Sequence, residues 1–216
     1  MYFSVNKFNN EFIDHDLKKI LEMIDFFIIK NIRYLTIFIL SENFINIYSK
    51  KIINNSILLL LSFFENNSGL FSSKGIAIKF LGNKSLLDDF IVDKMNIIEN
   101  NLNRNVNLVL TFLIAYDSEN DLINGIKKIT KKTLDDPLYL NLINVSEIHK
   151  QSDSFMLPDI DIVIMTRSNS NIADLPIIQI RQSDIIKIND LWHNCNLSFL
   201  KNTINIMNLN KSKLIY

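Results

Sequence analysis

The stretch YLTIFIL at residues 34–40 decides the fold. It is short and consists of β-branched, aromatic and leucine side chains, with Thr36 and the hydroxyl of Tyr34 as its only polar groups. Such a run is typical of a strand that is buried on both faces of a sheet. Strands of that kind belong to parallel sheets whose two faces are covered by helices. The stretch therefore predicts an α/β protein.

The segment before this strand has the periodicity of a helix. Its apolar residues recur at steps of three and four, which places them on one helix face that packs against the sheet. They are Leu17, Ile20, Leu21, Ile24, Phe27 and Ile28. Asp14 or Asp16 is a suitable cap, because a carboxylate accepts hydrogen bonds from the free amide groups of a first helical turn.

Strands and helices alternate along the rest of the chain. The predicted strands are 76–81, 108–114, 160–164 and 177–180, and the predicted helices are 44–64, 86–101, 121–131 and 197–209. Strands separated by helix-length segments indicate βαβ crossovers, and hence a mostly parallel sheet flanked by helices. The polar stretches 66–74 and 149–154 are predicted to be loops. No repeat or second domain is visible, so residues 1–216 are predicted to form a single domain.

Composition and charge exclude several classes of protein. The 23 basic and 23 acidic residues balance, and no basic run is interleaved with aromatic residues, so a nucleic-acid partner is not indicated. The single cysteine, Cys195, cannot form an internal disulfide, which favours a reducing compartment. Charged residues interrupt the apolar stretch 20–40, so it does not meet the bilayer's requirement for about 20 apolar residues. Membrane contact is therefore expected to be peripheral at most.

Four segments are similar to motifs of a known family. Residues 34–44 (YLTIFILSENF) resemble a strand and its F-S-x-E-N-W/F turn with one residue fewer, and residues 76–82 (IAIKFLG) resemble V-R-I-R-F-I-G-D. Residues 115–119 (AYDSE) resemble A-Y-x-S-R, and residues 158–164 (PDIDIVI) resemble P-D-P-D-L-L-I-R-T. These motifs follow each other in this order in the cis-prenyltransferase family, which includes undecaprenyl and dehydrodolichyl diphosphate synthases. The resemblance implies a cis-prenyltransferase-like domain and isoprenoid diphosphate substrates.

The positions that carry catalysis in this family differ here. Joining isopentenyl diphosphate to an allylic diphosphate requires a Mg²⁺-binding carboxylate, and arginines that neutralise the leaving diphosphate. The family's M-D-G-N-x-R loop corresponds to residues 1–8 (MYFSVNKF), which contain neither aspartate nor glycine. In its R-T-S-G-E-x-R-L-S segment, Met165 and Asn171 replace the two arginines, and Arg167 lies two residues out of register.

Two further arginine positions of the family are also changed. Glu119 stands at the end of A-Y-x-S-R, and Asn46 stands after the S-x-E-N turn. We therefore expect no catalytic residue and no metal ligand in this chain. The resemblance places the Mg²⁺ in the active site of a catalytic partner.

The C-terminal third resembles one branch of the family. Residues 175–185 (LPIIQIRQSDI) are similar to the L-P-W-H-I-R-L-T-E-I segment of the Nogo-B receptor type of subunit. Such subunits lack the catalytic aspartate and pair with a catalytic cis-prenyltransferase subunit at the cytoplasmic face of the endoplasmic reticulum membrane. The resemblance implies a role as the accessory subunit in dolichol synthesis for protein glycosylation. The implied partner interface consists of Ile177, Ile178, Ile180 and Arg181.

The end of the chain differs from that branch. The branch carries an N-terminal membrane anchor, which this sequence does not show, and an R-x-G tail that completes the partner's active site. The corresponding tail here is Lys213, Leu214 and Ile215. Lys213 retains a positive charge, whereas Ile215 replaces the glycine that permits close backbone approach to a diphosphate.

Several alternatives stay open. The chain is either this accessory subunit, a divergent self-sufficient homodimeric cis-prenyltransferase, or a binding module for isoprenoid lipids. Residues 41–43 (SEN) are either a family motif or a plain strand-to-helix cap. Residues 14–16 (DHD) are better explained by a helix start than by a metal site. His149 and His193 are predicted to be packing or surface residues. The lysines of 127–132 are predicted to form a solvated helix face, with contact to anionic lipid as the alternative.

Overall fold

A sheet of six parallel strands lies at the centre of the protein. The computed structural model describes residues 2–4, 10–100, 106–166, 174–189, 198–199 and 201–205. The strands are β1 (Tyr2–Ser4), β2 (Tyr34–Ser41), β3 (Ile76–Leu81), β4 (Leu108–Tyr116), β5 (Ile162–Thr166) and β6 (Asp184–Ile188). Their spatial order is β3-β4-β2-β1-β5-β6, and each pair of neighbours is parallel. The predicted fold class, an α/β domain with a parallel sheet flanked by helices, is confirmed.

Helices connect these strands. They are α1 (Asn10–Ile29), α2 (Glu42–Ile47), α3 (Lys50–Asn66), α4 (Ser68–Ser73), α5 (Asp89–Asn100), α6 (Ser118–Asp135) and α7 (Val145–Gln151). Short 3-10 helices cover Lys84–Leu86, Pro137–Leu142 and Asp153–Met156. Residues 198–199 and 201–205 are also helical, in agreement with the predicted helix 197–209, whose other residues lie outside the described part of the chain.

The central strands β2 and β4 are buried on both faces, as the sequence predicted. Alternate side chains point to opposite sides, so Ile37 joins one apolar cluster and Phe38 joins another. The first cluster lies between the sheet and α1, α3 and α5, and includes Ile24, Phe27, Ile57, Phe64, Ile91, Leu110 and Phe112. The second cluster consists of Phe38, Leu81, Leu113, Tyr116, Leu157, Ile160, Val163, Met165, Leu175 and Ile180.

Aromatic rings form the centre of the first cluster. The ring of Phe64 lies 4.9 Å from that of Phe112, 5.7 Å from that of Phe71 and 6.0 Å from that of Phe80. Tilted pairs at such distances are the favoured geometry for aromatic side chains. The predicted core role of the Phe63–Phe64 pair is thus confirmed for Phe64, which is fully buried.

Three local predictions are wrong. The helix predicted for 44–64 is two helices, because Ser41 caps α2 and the chain becomes extended at Tyr48. The stretches 66–74 and 149–154, predicted as loops because they are polar, contain α4, the end of α7 and the start of a 3-10 helix. The first helix begins at Asn10, so Asp14 and Asp16 lie within α1 and do not cap it.

The strand predicted for residues 177–180 is also wrong. This segment is a helical turn, in which the Pro176 carbonyl accepts hydrogen bonds from the amides of Gln179 and Ile180, each at 3.1 Å. Proline fixes φ near −65° and so favours the start of a turn or helix. The strand follows as β6, which the sequence analysis missed because Asp184 and Lys187 interrupt its apolar pattern.

Candidate functional site

The candidate site lies where the carboxyl ends of the parallel strands meet. In open α/β sheets, ligands bind outside this edge. A cleft is found there beside the ends of β2, β3 and β4. We call it the carboxyl-edge site, and it is lined by Glu42, Gly82, Asn83, Ala115, Tyr116, Asp117, Asp121, Asn124 and Asp153.

Tight backbone contacts shape the floor of this site. Gly82 follows β3 with φ of +138°, and a Cβ atom at this position would lie 1.9 Å from the Ile114 carbonyl oxygen. The Asn83 amide donates to the Ala115 carbonyl at 2.8 Å, and Ala115 itself has φ of +54°. Positive φ at a residue other than glycine is uncommon and is concentrated at functional sites. The ends of β3 and β4 are therefore held closely together.

A capped helix follows each of the strands β2 and β4, and one side-chain hydrogen bond connects the two helices. The Ser41 hydroxyl accepts from the Phe44 amide at 3.1 Å, and the Asp117 carboxylate accepts from the Asn120 amide at 2.9 Å. The Glu42 carboxylate then accepts from the Asn120 side-chain amide at 2.8 Å. The reading of Ser41 as a helix cap is confirmed, and Glu42 serves as a link between α2 and α6.

A buried hydrogen-bond network lies beneath the site. The Tyr116 hydroxyl donates to Asp121 Oδ2 at 3.1 Å, while Asp121 Oδ1 accepts from the backbone amides of Asp153 at 2.6 Å and Ser154 at 3.4 Å. Burial, together with the charge of Asp121, raises the pKa of Tyr116 far above its ordinary value. Tyr116 is therefore a neutral donor that positions Asp121, and it cannot act as a base near neutral pH.

The network continues away from the cleft through Gln179. Its Nε2 lies 2.7 Å from the Ser154 carbonyl oxygen and 2.7 Å from His149 Nε2. The Gln179 side-chain amide thus links the Ser154 carbonyl group to the His149 ring. The His149 ring also packs edge-on against Phe155, at 5.5 Å between centroids. The predicted packing role of His149 is confirmed.

Carboxylates dominate the electrostatics of the carboxyl-edge site. Glu42, Asp117, Asp121 and Asp153 line it, and no lysine or arginine is among its described lining residues. Lys128 Nζ lies 2.6 Å from Asp153 and neutralises one of these charges. The described lining residues therefore carry a net negative charge.

Asp174 is a further carboxyl group close to Asp117. Its pKa is raised, first by burial and second by the negative charge of Asp117. The two carboxyl groups are therefore close enough for their charges to interact.

The carboxylates of the site do not form a metal centre. Among the residues that the structure describes, no group of three or more histidine, cysteine, aspartate or glutamate side chains is placed to hold a metal ion. Glu42, Asp117 and Asp121 each accept a hydrogen bond from a protein amide. The cleft has a volume of about 10 Å³, which is the smallest that holds one water molecule. These residues therefore do not fit a Mg²⁺ ion with its hydration shell.

The structure places several of the family's catalytic positions. Met165 is 1% exposed and packs in the second cluster. Glu119 lies exposed in the first turn of α6, and Asn46 lies exposed in α2. Asn171 and Arg167 lie outside the described residues, as do residues 5–8 of the first loop and the tail residues Lys213, Leu214 and Ile215.

The predicted interface residues separate into two groups. Ile177 and Arg181 are exposed and Ile178 is half-buried, whereas Ile180 is buried in the second cluster. The exposed side chains lie in the turn before β6, whose Ile185 is also exposed. Because β6 is at the end of the described sheet, this turn and strand form a continuous exposed edge.

A second cavity lies at the other edge of the sheet, among α3, α4, α5 and β3. It has a volume of about 190 Å³ and is lined by Phe64, Glu65, Ser68, Phe71, Ser72, Ile76, Ile78, Ile97 and Ile98. Its lining is mostly apolar, and it is smaller than the roughly 300–1,000 Å³ of typical ligand pockets.

The sequence analysis missed the buried network as a unit. Asp121 and Ser154 are 33 residues apart, and Gln179 follows another 25 residues later. The one sequence signal is that Asp121 follows the AYDSE motif, which indicates a position near the end of a strand. The contacts with Ser154 and Gln179 have no local sequence signal.

No described helix is long and apolar enough to cross a membrane. This agrees with the expectation that no helix of the described chain spans a bilayer.

Two solved structures define the class of protein by fold. A lavandulyl diphosphate synthase from Lavandula x intermedia, solved in complex with dimethylallyl diphosphate, matches with a TM-score of 0.84 and 16% identity over 94% of this chain and 92% of that one. A probable undecaprenyl diphosphate synthase from Campylobacter jejuni matches with a TM-score of 0.77 and 17% identity over the same shares. Both likenesses establish the fold.

Sequence relationships then establish the family. Residues 9–213 match the Prenyltransf family model, described as "Putative undecaprenyl diphosphate synthase", and the chain belongs to this family. The isoprenyl transferase of Zymomonas mobilis is 26% identical over 119 residues, which are 55% of this chain and 48% of that protein. A ditrans,polycis-undecaprenyl-diphosphate synthase of Buchnera aphidicola is 25% identical over 81% of this chain and 70% of that protein. The chain thus spans about half the length of the first relative.

Proposed function

We propose that this chain is the accessory, catalytically degenerate subunit of a heterodimeric polyprenyl diphosphate synthase of the dehydrodolichyl type. A second member of the family performs the condensation of isopentenyl diphosphate with an allylic diphosphate. The observation that carries the proposal is the line of carboxylates at the carboxyl edge, where a diphosphate-binding site needs cations. Glu42, Asp117, Asp121 and Asp153 occupy that edge.

The packing of Met165 supports the same proposal. An arginine at this position would place its charge among Tyr116, Leu157 and Val163 of the second cluster. Burying an unpaired charge is costly, so this apolar environment is adapted to methionine and not to a diphosphate-binding arginine. Restoring the family residue at Met165 alone is therefore expected to destabilise the chain without creating activity.

The exposed edge around β6 supports a partner interface. Strands at the end of a sheet present unpaired backbone groups, and exposed apolar residues beside them favour association. Ile177, Arg181 and Ile185 are exposed along this edge. We therefore keep Ile177, Ile178 and Arg181 in the proposed interface, while Ile180 supports it from the core.

The remaining features of the proposal concern the complex. The catalytic subunit holds the Mg²⁺ and the substrates, and the proposed role of Lys213, Leu214 and Ile215 is to complete its active site. The complex acts at the cytoplasmic face of the endoplasmic reticulum membrane, where its product supports dolichol synthesis for protein glycosylation. These statements rest on the resemblance of residues 175–185 to the accessory branch.

Co-purification tests the proposed pairing. The chain is co-expressed with a family member from the same genome that has the catalytic aspartate and both arginines. Arg181→Glu is expected to weaken the complex by about 2–5 kcal/mol, since reversing a charge in a desolvated contact leaves both partners unpaired. Arg33→Glu is the matched control, because Arg33 is an exposed arginine that precedes the central strand β2, three strands away from β6. Equal recovery of both variants would remove Arg181 from the interface.

A self-sufficient homodimeric cis-prenyltransferase is the second candidate. It is favoured by the relatives named as synthases and by the apolar cavity among α3, α4, α5 and β3, which suits an isoprenoid chain. On this alternative, residues outside the described part of the chain supply the cations that the carboxyl edge lacks. The two candidates differ in one observable property, which is the activity of the chain without a partner.

A further inference from the structure

The connection between α6 and α7 presents leucines to solvent. Pro137 begins a 3-10 helix after the end of α6. Leu134, Leu138, Leu140 and Leu142 in this region are between 59% and 79% exposed. Val145, at the start of α7, is also exposed. Contiguous apolar surface of this kind marks an interaction site.

Polar contacts hold this connection in place from its inner side. Asp136 accepts a hydrogen bond from the Leu138 amide at 3.0 Å and caps the 3-10 helix. The Tyr139 hydroxyl donates to the Glu147 carboxylate, and Lys132 Nζ lies 5.2 Å from the centre of the Tyr139 ring. These contacts fix the backbone of the connection, while its leucines stay exposed.

The outer face of α6 continues the same surface. Ile123, Ile126 and Leu134 are exposed. Their spacing places Ile123 and Leu134 on the side of the helix away from the buried Ile129, with Ile126 at the flank between. Lys127 and Lys131 are exposed on the same side. We call Ile123, Ile126 and the exposed residues of 134–145 the leucine platform, and it has a border of lysines.

The leucines of the platform lie far from the carboxyl-edge site, whereas Ile123 adjoins its lining residue Asn124. The 18 residues of α6 span about 27 Å, so the leucines lie at the far end of the helix from Asp121. The six residues of the 3-10 helix add about 12 Å to the platform. Four lysines and two aspartates give residues 123–145 a net charge of +2.

We propose that the leucine platform docks on an anionic lipid surface. Amphipathic membrane-surface elements combine inserted leucines with lysines that remain at the level of the headgroups. The lysines that border these leucines give the surface the positive charge that anionic headgroups attract. Lys127 and Lys131 are placed to contact anionic headgroups, which attract such residues within a Debye length of the surface. This inference does not depend on whether the chain is catalytic.

Vesicle flotation with the purified full-length chain tests the proposal. The chain is expected to float with vesicles of phosphatidylcholine and phosphatidylserine, and to float poorly with phosphatidylcholine alone. The triple variant L138S/L140S/L142S is expected to lose at least about tenfold in vesicle affinity. Lys127→Gln and Lys131→Gln are each expected to lose about fivefold on the anionic vesicles only.

Ile29→Ser is the matched control, because Ile29 is as exposed as Leu138 but lies at the end of α1. Circular dichroism verifies that each variant is folded. The proposal is overturned if the wild-type chain does not float, if the leucine variant floats as well as Ile29→Ser, or if lipid charge has no effect. It is also overturned if the platform instead mediates self-association, seen in sedimentation as a dimer that the leucine variant abolishes without any vesicle binding.

Discussion

The two faces of the sheet pack against different kinds of side chains. The first cluster, against α1, α3 and α5, is made of aliphatic and aromatic side chains, with Phe64 and Phe112 at its centre. The second cluster contains Tyr116 and lies against a buried polar network of Asp121, Ser154 and Gln179. The first side therefore depends mainly on packing, whereas the second also depends on a buried hydrogen-bond network.

The largest expected loss of stability follows from a substitution in the first cluster. Phe64→Ala removes a ring that contacts four others and leaves a cavity, which is expected to lower the free energy of unfolding by about 3–5 kcal/mol. Urea denaturation measures the change. Phe90→Ala on α5 is the control, since Phe90 is half-exposed and its removal leaves no buried cavity. Similar losses for the two variants would mean that the aromatic cluster is not the centre of stability.

The next effect is on the network beneath the carboxyl-edge site. Asp121→Ala leaves the Tyr116 hydroxyl and the amides of Asp153 and Ser154 without their acceptor, and is expected to cost about 2–3 kcal/mol. Asp121→Asn retains an oxygen acceptor and is expected to cost clearly less. If both variants are equally stable in urea denaturation, Asp121 is not an organising residue of this side.

A smaller loss of stability is expected from a substitution of Gln179, because it removes favourable hydrogen bonds and also a buried oxygen that is unpaired within the described part of the chain. Gln179→Met removes the hydrogen bonds to the Ser154 carbonyl and His149, but it also removes Oε1, which is buried without a partner among the described residues. The net loss of stability is expected to be about 1 kcal/mol. A loss as large as that of Asp121→Ala would show that the two halves of the network act as one unit.

The smallest expected effect is a pH dependence of the free energy of unfolding that arises from Asp174. Burial and Asp117 raise the folded-state pKa of Asp174, so the unfolded chain releases this proton at a lower pH than the folded chain. As the pH rises through that range, ionisation favours the unfolded state. Asp174→Asn is therefore expected to be more stable than the wild type at neutral pH and equal to it at acid pH. Urea denaturation at both pH values checks this, and an equal difference at both would contradict it.

The first side of the sheet could be predicted from the sequence. Residues 34–40 and 76–81 are mostly apolar runs, broken only by Thr36 and Lys79, and burial on both faces of a parallel sheet favours such runs. The helix pattern from Leu17 to Ile28 was equally direct. For this helix, only the predicted start was wrong. Asp14 was expected to cap it, but the helix already begins at Asn10.

The second side could be predicted only in part. The loss of arginines at Met165 and Glu119 was visible in the sequence, whereas the hydrogen bonds of Asp121 to residues about 32 positions away have no local pattern. The turn at 177–180 was mistaken for a strand because a short apolar run does not distinguish the two. Pro176 was the signal against a strand, since its carbonyl begins the turn.

The central claim is that the carboxylate-lined edge leaves this chain without prenyltransferase activity of its own. The most direct measurement is the incorporation of radiolabelled isopentenyl diphosphate with farnesyl diphosphate and Mg²⁺, by the purified chain alone and by the chain reconstituted with an intact family member from the same genome. We expect no product from the chain alone, and more product from the complex than from the intact member by itself. Sustained product from the chain alone would contradict the claim and establish the self-sufficient homodimeric enzyme.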